Sequence, residues 1–253
     1  MSDVHQGFTV ISGVGGRIGL AVAQAHLSVG KPVVGIDIDA ESLGKLAKDS
    51  PGLFLGFSAS VTDAMAMGQA IDAGETQFGR VSGAVHAAYP RSDDWGVSLD
   101  DVSPDSLREN LFGQLGGALL FSREVVKRMR HHQSGSVVLI SSIQGIRAPR
   151  FDHYEGLDMS SPAEYSAVKA GVIGFSRWLA KNVAGTGIRV NCVSPGGILA
   201  DQPELFQQRY REDCLTKGLL DADDVVGAIS FLLSEDSRYI SGHNIVVDDG
   251  WSL

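Results

Sequence analysis

Strand-like and helix-like patterns alternate along this chain from end to end, and that alternation leaves few folds open to it. Residues 8–11, Phe-Thr-Val-Ile, form a short apolar, β-branched run that stops at glycines, and a helix-compatible stretch follows over 17–29. A second strand, 32–37, ends in an acid, and 53–57, 82–86, 137–141, 189–193 and 244–247 continue the series. Helix-length segments lie between them near 62–78, 104–132, 162–183 and 221–234. Short apolar strands between helices need cover on both faces, so the pattern predicts a parallel sheet with helices on each side. No internal repeat, low-complexity tract or Pro/Ser-rich linker interrupts it. The expectation is an α/β fold, a single doubly wound domain over residues 1–253.

Charge and composition narrow the partners. A chain of 253 residues is long enough for one sizeable α/β core. Its net charge of −9 argues against a nucleic-acid surface or an anionic membrane, because polyanions are repelled. An anionic cofactor stays possible, since local backbone dipoles can hold it against the global charge. The opening MSDVHQGFTV lacks the basic and apolar regions of a secretory leader, and no apolar stretch is long enough to span a bilayer. These features predict a cytoplasmic protein. Cys192 and Cys214 supply neither a disulfide framework nor a metal quartet, and Cys192, in an apolar run, is expected in the core. The seven histidines show no metal-ligand spacing; the adjacent His131 and His132 would diverge from a helix. No metal is expected.

The segment Ser12-Gly13-Val14-Gly15-Gly16-Arg17-Ile18-Gly19 joins the first strand to the first helix. Glycines there let the backbone turn sharply and approach a pyrophosphate, which rests on the helix N-terminus. Packing alone can also account for such a turn. Asp37, ending the next strand, adds weight: its carboxylate can accept hydrogen bonds from adenosine ribose hydroxyls and would repel the 2′-phosphate of NADP. The following residue, Ile38, is not the arginine that would bind that phosphate. NAD is therefore expected over NADP, although Asp37 alone reads equally well as a turn former.

Tyr165-Ser166-Ala167-Val168-Lys169 sets a phenol and an ammonium one helical turn apart. A tyrosine exchanges a proton with an alcohol or carbonyl only if its pKa falls from about 10, and a nearby cation can lower it. A plain helix-face pair would look the same. Ser141-Ser142 ends another strand, and in a doubly wound sheet the strand carboxyl ends gather around the ligand crevice.

Taken in order, these motifs resemble the short-chain dehydrogenases/reductases over essentially the whole chain. The resemblance also rests on Asn191-Cys192-Val193-Ser194-Pro195-Gly196-Gly197 and on Ile245-Val246-Val247-Asp248-Asp249-Gly250. It implies a Rossmann-like fold and an NAD-dependent oxidoreductase acting on a small molecule. Tyr165 is then the general acid/base, Lys169 lowers its pKa and touches the nicotinamide ribose, and Ser142 orients the substrate oxygen. The cofactor would meet Gly13, Gly16, Arg17, Ile18, Gly19, Asp37, Ser60, Val61, Ala87, Ala88, Pro195, Gly196 and Ile198 as well as Tyr165 and Lys169. The helix asparagine of the usual tetrad corresponds to Gln114, with Asn110 one turn earlier as the alternative. Long helices and a last strand that pair across two-fold axes imply a homotetramer or homodimer.

Departures from the family pattern bear on the substrate. His86-Ala87-Ala88-Tyr89 stands where an Asn-Asn-Ala-Gly is usual, which makes His86 a strand-end packing residue. Ser60 replaces an adenine-contacting aspartate, and Arg17 stands in place of a glycine. Glycines 13, 16 and 19 follow a spacing similar to the nucleotide-sugar-modifying branch. Ser142 and Tyr165 are farther apart than in the shorter branch, and the extra residues, 145–161, are expected to form a lid. There Arg147 and Arg150 would read an anionic group, and Asp152, Tyr154 and Glu155 would bond sugar hydroxyls; a solvated surface loop, or one packed on a neighbouring subunit, reads equally well. With Ala88-Tyr89-Pro90-Arg91 and the ending Asp248–Leu253, the pattern resembles oxidoreductases of flagellin-glycan and nonulosonic-acid pathways. The implied reaction interconverts a hydroxyl and a ketone on a carbohydrate. Two alternatives remain at this stage: an NAD-binding partner protein with little turnover, and a dehydratase or epimerase with tightly held NAD.

Overall fold

The computed structural model describes residues 7–253; the reading of the first six residues as part of a leader-free start lies outside that range. Seven strands form one sheet: β1 (Phe8–Ser12), β2 (Val33–Asp37), β3 (Phe54–Ser58), β4 (Val81–His86), β5 (Gly135–Ile140), β6 (Ile188–Pro195) and β7 (Asn244–Val247). Their spatial order is β3-β2-β1-β4-β5-β6-β7, and every neighbouring pair is parallel. The chain builds outward from β1 to β3, then crosses back to lay β4 on the other side of β1. Ser12 pairs with both Ile36 and His86, so the carboxyl ends of the three central strands lie level around that reversal.

The described residues form eight α-helices, most of them packed on the sheet: α1 (Arg17–Ser28), α2 (Ala40–Asp49), α3 (Ala64–Phe78), α4 (Pro104–Leu111), α5 (Gly117–His132), α6 (Ala163–Asn182), α7 (Glu204–Glu212) and α8 (Val226–Leu233). Alternate strand residues feed opposite cores. Val10, Val137 and Leu139 pack with Met67 and Ile71 of α3, Phe121 and Met129 of α5, and Val172 of α6. Ile11, Val138 and Ile140 pack with Val22 and Leu27 of α1, Leu43 of α2, and Ile229 and Leu232 of α8. Each such side chain, fully removed from water, contributes roughly 1.5–3 kcal/mol of transfer free energy. Cys192 lies in the first of these cores, and burial pushes its thiol up to about 11.

The helices differ from expectation in four places. Periodicity did not predict α2 and α7, because each buries only two side chains: Leu43 and Leu46 in α2, Phe206 and Tyr210 in α7. The segment 221–234 divides into a 3-10 turn, Ala222–Val225, opened by an Asp221/Asp224 capping box, and then α8. The expected helix 104–132 is interrupted by one π turn, Phe112–Gly116, between α4 and α5. Glycines let the helix pass close to its neighbours there: a Cβ on Gly117 would lie 2.8 Å from Val61, and one on Gly113 would lie 3.2 Å from Pro90. Among the described residues no helix is long and apolar enough to cross a membrane.

Candidate active site

A cavity of about 780 Å³ opens along the carboxyl ends of the central strands, where the sheet order reverses. Gly13, Gly16, Arg17, Ile18, Asp37, Ser60, Val61, Ala87, Ala88, Pro195, Gly196 and Ile198 all line it. Gly13 turns the chain with φ +73, and a Cβ there would lie 2.5 Å from the Ala88 backbone. Only glycine fits that approach. Helix α1 begins at Gly16 with no side-chain cap and no acid in its first turn. By contrast α2, α3 and α4 are capped by Asp39, Asp63 and Ser103. The bare N–H groups of α1 face the crevice, which suits a pyrophosphate. Asp37 accepts from the N–H of Gly15 at 2.8 Å and from that of Asp39 at 3.0 Å, which fixes its carboxylate at the cavity edge. These residues fit a dinucleotide. Gly19 does not reach the cavity wall: its missing Cβ would lie 2.1 Å from the Gly13 carbonyl oxygen, so it lets α1 close onto the turn.

Tyr165 and Lys169 stand on α6 and Ser142 just beyond β5, and all three line the same cavity. The Ser142 hydroxyl accepts from the N–H of Gln144 at 3.1 Å and acts to lower the Tyr165 phenol. Lys169, 7% exposed, donates from Nζ to the Ile140 carbonyl at 3.2 Å, and the Ser141 hydroxyl donates to the Lys169 carbonyl. Burial lowers Lys169 to about 8. The expected lowering of Tyr165 is corrected: burial raises its pKa above the ordinary value, opposed by the Ser142 hydrogen bond. The Lys169 ammonium lies 5.5 Å from the Tyr165 ring centroid, over the ring face.

Gln114 does not line the cavity. It sits in the π turn, donates from Nε2 to the Pro90 carbonyl at 2.9 Å, and leaves Oε1 buried without a partner among the described residues. Asn110, the alternative, is used elsewhere: it accepts from the N–H of Ser92 and donates to the Ser92 hydroxyl and to Glu164, tying α4 to α6. His86 is fully buried, bonded to the Ser12 hydroxyl at 2.7 Å and packed on Phe121.

The segment 145–161 forms one wall of the cavity, but its arginines are not free to read an anion. Arg147 lies outside the cavity wall and donates to the Ser252 carbonyl at 3.0 Å. Arg150 lines the cavity but pairs with Asp213 at 3.1 Å and Asp152 at 3.2 Å, so two carboxylates already neutralise it. Tyr154 lines the cavity with its ring 5.2 Å from Phe206, and Ser161 beside it donates to Gln144 Oε1 at 2.7 Å. Of the other hydroxyl readers expected there, Asp152 is taken by Arg150, and Glu155 does not line the cavity. Two short 3-10 turns, Ile143–Gly145 and Phe151–Tyr154, order the segment, and Arg209 of α7 clamps it by donating to the His153 and Glu155 carbonyls.

Several wall residues escaped the sequence reading. Gly15, Gln144, Trp95, His153, Phe206 and Trp251 all face the cavity. His153 is held by Asp213 at 2.6 Å, and the Tyr210 hydroxyl accepts from the N–H of Gly197 at 2.6 Å, steadying the Pro195-Gly196 turn. Gly15 carried a legible signal, since it lies inside the glycine turn. The aromatic residues come from four distant segments and carried none.

A doubly wound sheet with an uncapped glycine turn and a strand-end acid at its reversal defines a dinucleotide-dependent oxidoreductase. The chain belongs to the short-chain dehydrogenase/reductase family: the family profile described as enoyl-(acyl carrier protein) reductase matches residues 13–252. It is 37% identical over 248 residues to the post-translational flagellin modification protein A of Campylobacter coli, covering 96% of this chain and 97% of that one. It is 32% identical over 241 residues to the human 3-oxoacyl-(acyl carrier protein) reductase, covering 93% and 94% of the two chains. Among solved structures, a short-chain dehydrogenase from Leptospira borgpetersenii with bound NAD+ superposes with a TM-score of 0.88 at 27% identity, covering 100% of this chain and 97% of that one. Levodione reductase shares the fold, with a TM-score of 0.85 at 24% identity, covering 98% of each chain.

Proposed function

We propose that this protein interconverts a hydroxyl and a ketone on a sugar or sugar derivative, using NAD(H), with Tyr165 as general acid/base. The observation that carries the reading is that Ser142, Tyr165 and Lys169, its ammonium 5.5 Å from the Tyr165 ring centroid, line the same cavity as Asp37 and the glycine turn. When bound, NAD supplies the hydride acceptor or donor. Tyr165 gives or takes the proton of the reacting oxygen, and Ser142 orients that oxygen. Burial makes a phenolate costly here, and Ser142 opposes that; the Lys169 ammonium, 5.5 Å from the ring centroid, is the cation this reading assigns to the same task. The Leptospira relative's bound NAD+ supports the cofactor, and Asp37, which would repel a 2′-phosphate, supports NAD over NADP.

Sugar as substrate is supported by the resemblance to flagellin-glycan oxidoreductases, with which the flagellin-modification name of the Campylobacter coli relative agrees, and by the substrate end of the cavity. There the polar groups of Ser160, Ser161, Gln144 and Tyr154 stand among the rings of Trp95 and Phe206. Apolar side chains left exposed on α5 and α6 and in the π turn, among them Phe112, Leu119 and Trp178, go with a homo-oligomer. A cytoplasmic setting, where nicotinamide nucleotides circulate, goes with the same reading. Tyr165→Phe tests the chemistry: kcat should fall by at least about 100-fold with NADH affinity nearly unchanged. Activity within a few-fold of the parent overturns the assignment.

A further inference from the structure

The two arginines expected to read an anion are occupied, which leaves the question of what each cation in the cavity wall is for. Arg17 pairs with Asp201 at 3.6 Å, Arg150 with Asp152 and Asp213, His153 with Asp213, and Lys169 donates to the Ile140 carbonyl. Arg91 is different. It lines the cavity, and among the described residues it makes no ion pair. Its guanidinium lies 5.5 Å from the centroid of Tyr89, and Tyr89 packs edge-on against Tyr165, with ring centroids 5.5 Å apart. Trp95 closes the same aromatic group, 5.5 Å from Tyr89 and 6.1 Å from Tyr165. A single ring therefore separates this unpaired cation from the phenol that handles the proton.

We propose that Arg91 is the specificity-determining residue of this site, binding a carboxylate or phosphate on the substrate while the reacting carbon lies at Tyr165. The inference rests on the oxidoreductase reading above and deepens it by making the substrate an anionic hydroxy or keto compound. A planar guanidinium offers a forked pair of donors to either oxyanion. The Tyr89 face seats that fork without neutralising it, as a carboxylate partner would. In a chain of net charge −9, an unpaired cation at the cavity wall is also the local feature that draws an anion in.

The test pairs anionic and neutral forms of two skeletons, with two readouts. Glucuronate and glucose 6-phosphate are compared with glucose on the NAD+-loaded protein, which oxidises a hydroxyl, and acetoacetate with its methyl ester on the NADH-loaded protein, which reduces a ketone. Each is followed by NADH absorbance and, independently of turnover, by calorimetric titration. The parent should favour at least one anion over its neutral partner by about tenfold or more. Arg91→Gln should abolish that ratio, Arg91→Lys should keep part of it, and Arg147→Gln, outside the cavity, should leave it intact. Glucuronate and glucose 6-phosphate distinguish a carboxylate from a phosphate. No anion preference in either series, or a preference that survives Arg91→Gln, overturns the proposal. An Arg91-dependent preference confined to the keto-acid pair upholds it while removing the sugar reading; turnover of glucose with no Arg91 effect does the reverse.

Discussion

Asp37 shows how much one carboxylate can decide. Its two oxygens are pinned by the N–H groups of Gly15 and Asp39, so the charge cannot swing away from an incoming adenosine ribose. NADH should accordingly bind at least about tenfold more tightly than NADPH, a difference of about 1.4 kcal/mol, and Asp37→Ala should shrink that ratio. Calorimetry giving equal affinities for the parent would contradict this. Arg17, at the same edge, faces Asp201 at 3.6 Å in an exposed pair that offsets its charge only weakly. Asp37, Tyr165 and Lys169 were readable from their places at strand ends and on one helix turn. The pairing that disarms Arg150 was not, because Asp213 lies far along the chain.

At the scale of elements, glycine position separates structural need from tolerance. In Gly19→Ala the new Cβ would lie 2.1 Å from the Gly13 carbonyl oxygen, backbone against backbone, and neither side can yield without moving the turn. A loss of at least about 1–3 kcal/mol is expected, with weaker NADH binding because the α1 N-terminus shifts. Gly44, inside α2, has nothing within 4 Å of a built Cβ. Gly44→Ala should stabilise by about 0.5–1 kcal/mol. Denaturant melts of the two variants read both effects, and effects of the same sign would defeat the argument. The π turn belongs to this scale too. Glycines at 113, 116 and 117 permit it, and it carries Gln114 to the Pro90 carbonyl, but a run of helix-compatible residues does not announce it.

For the whole molecule, two buried histidines set the response to acid. His26 is lowered to about 4, by burial first and Lys31 second; His86 is lowered to about 3, by burial first and Lys169 second. Both folded values lie below the unfolded 6.5. Their contribution is therefore complete above about pH 6.5 and is lost as pH falls toward 4 and 3. Between pH 7 and 5 each loses about 2 kcal/mol, and the melting temperature should drop by roughly 10 °C. The depressed carboxylates, Asp72 and Asp249 among them, lose theirs as pH falls through the unfolded value of 3.8, so they contribute little to the drop between pH 7 and 5. His26→Leu should remove about half of the drop between pH 7 and 5; an unchanged drop would exclude His26 from it. Assembly is read by light scattering, where a concentration-independent monomer mass would reject a homo-oligomer.

The sequence by itself determined the layered sheet, the glycine turn and the Ser142, Tyr165 and Lys169 set, because each rests on local spacing: strand alternation, one helical turn, one strand end. Only the tertiary structure decided which cations of the cavity are matched by a counter-charge or a carbonyl. It brought Asp213 to Arg150 and His153, the Ser252 carbonyl to Arg147, and the Tyr89 ring beneath Arg91. Those partners come from segments far apart in the chain or from a loop with no periodicity. The electrostatics of a cavity depend on who meets whom in space, and no local pattern encodes that.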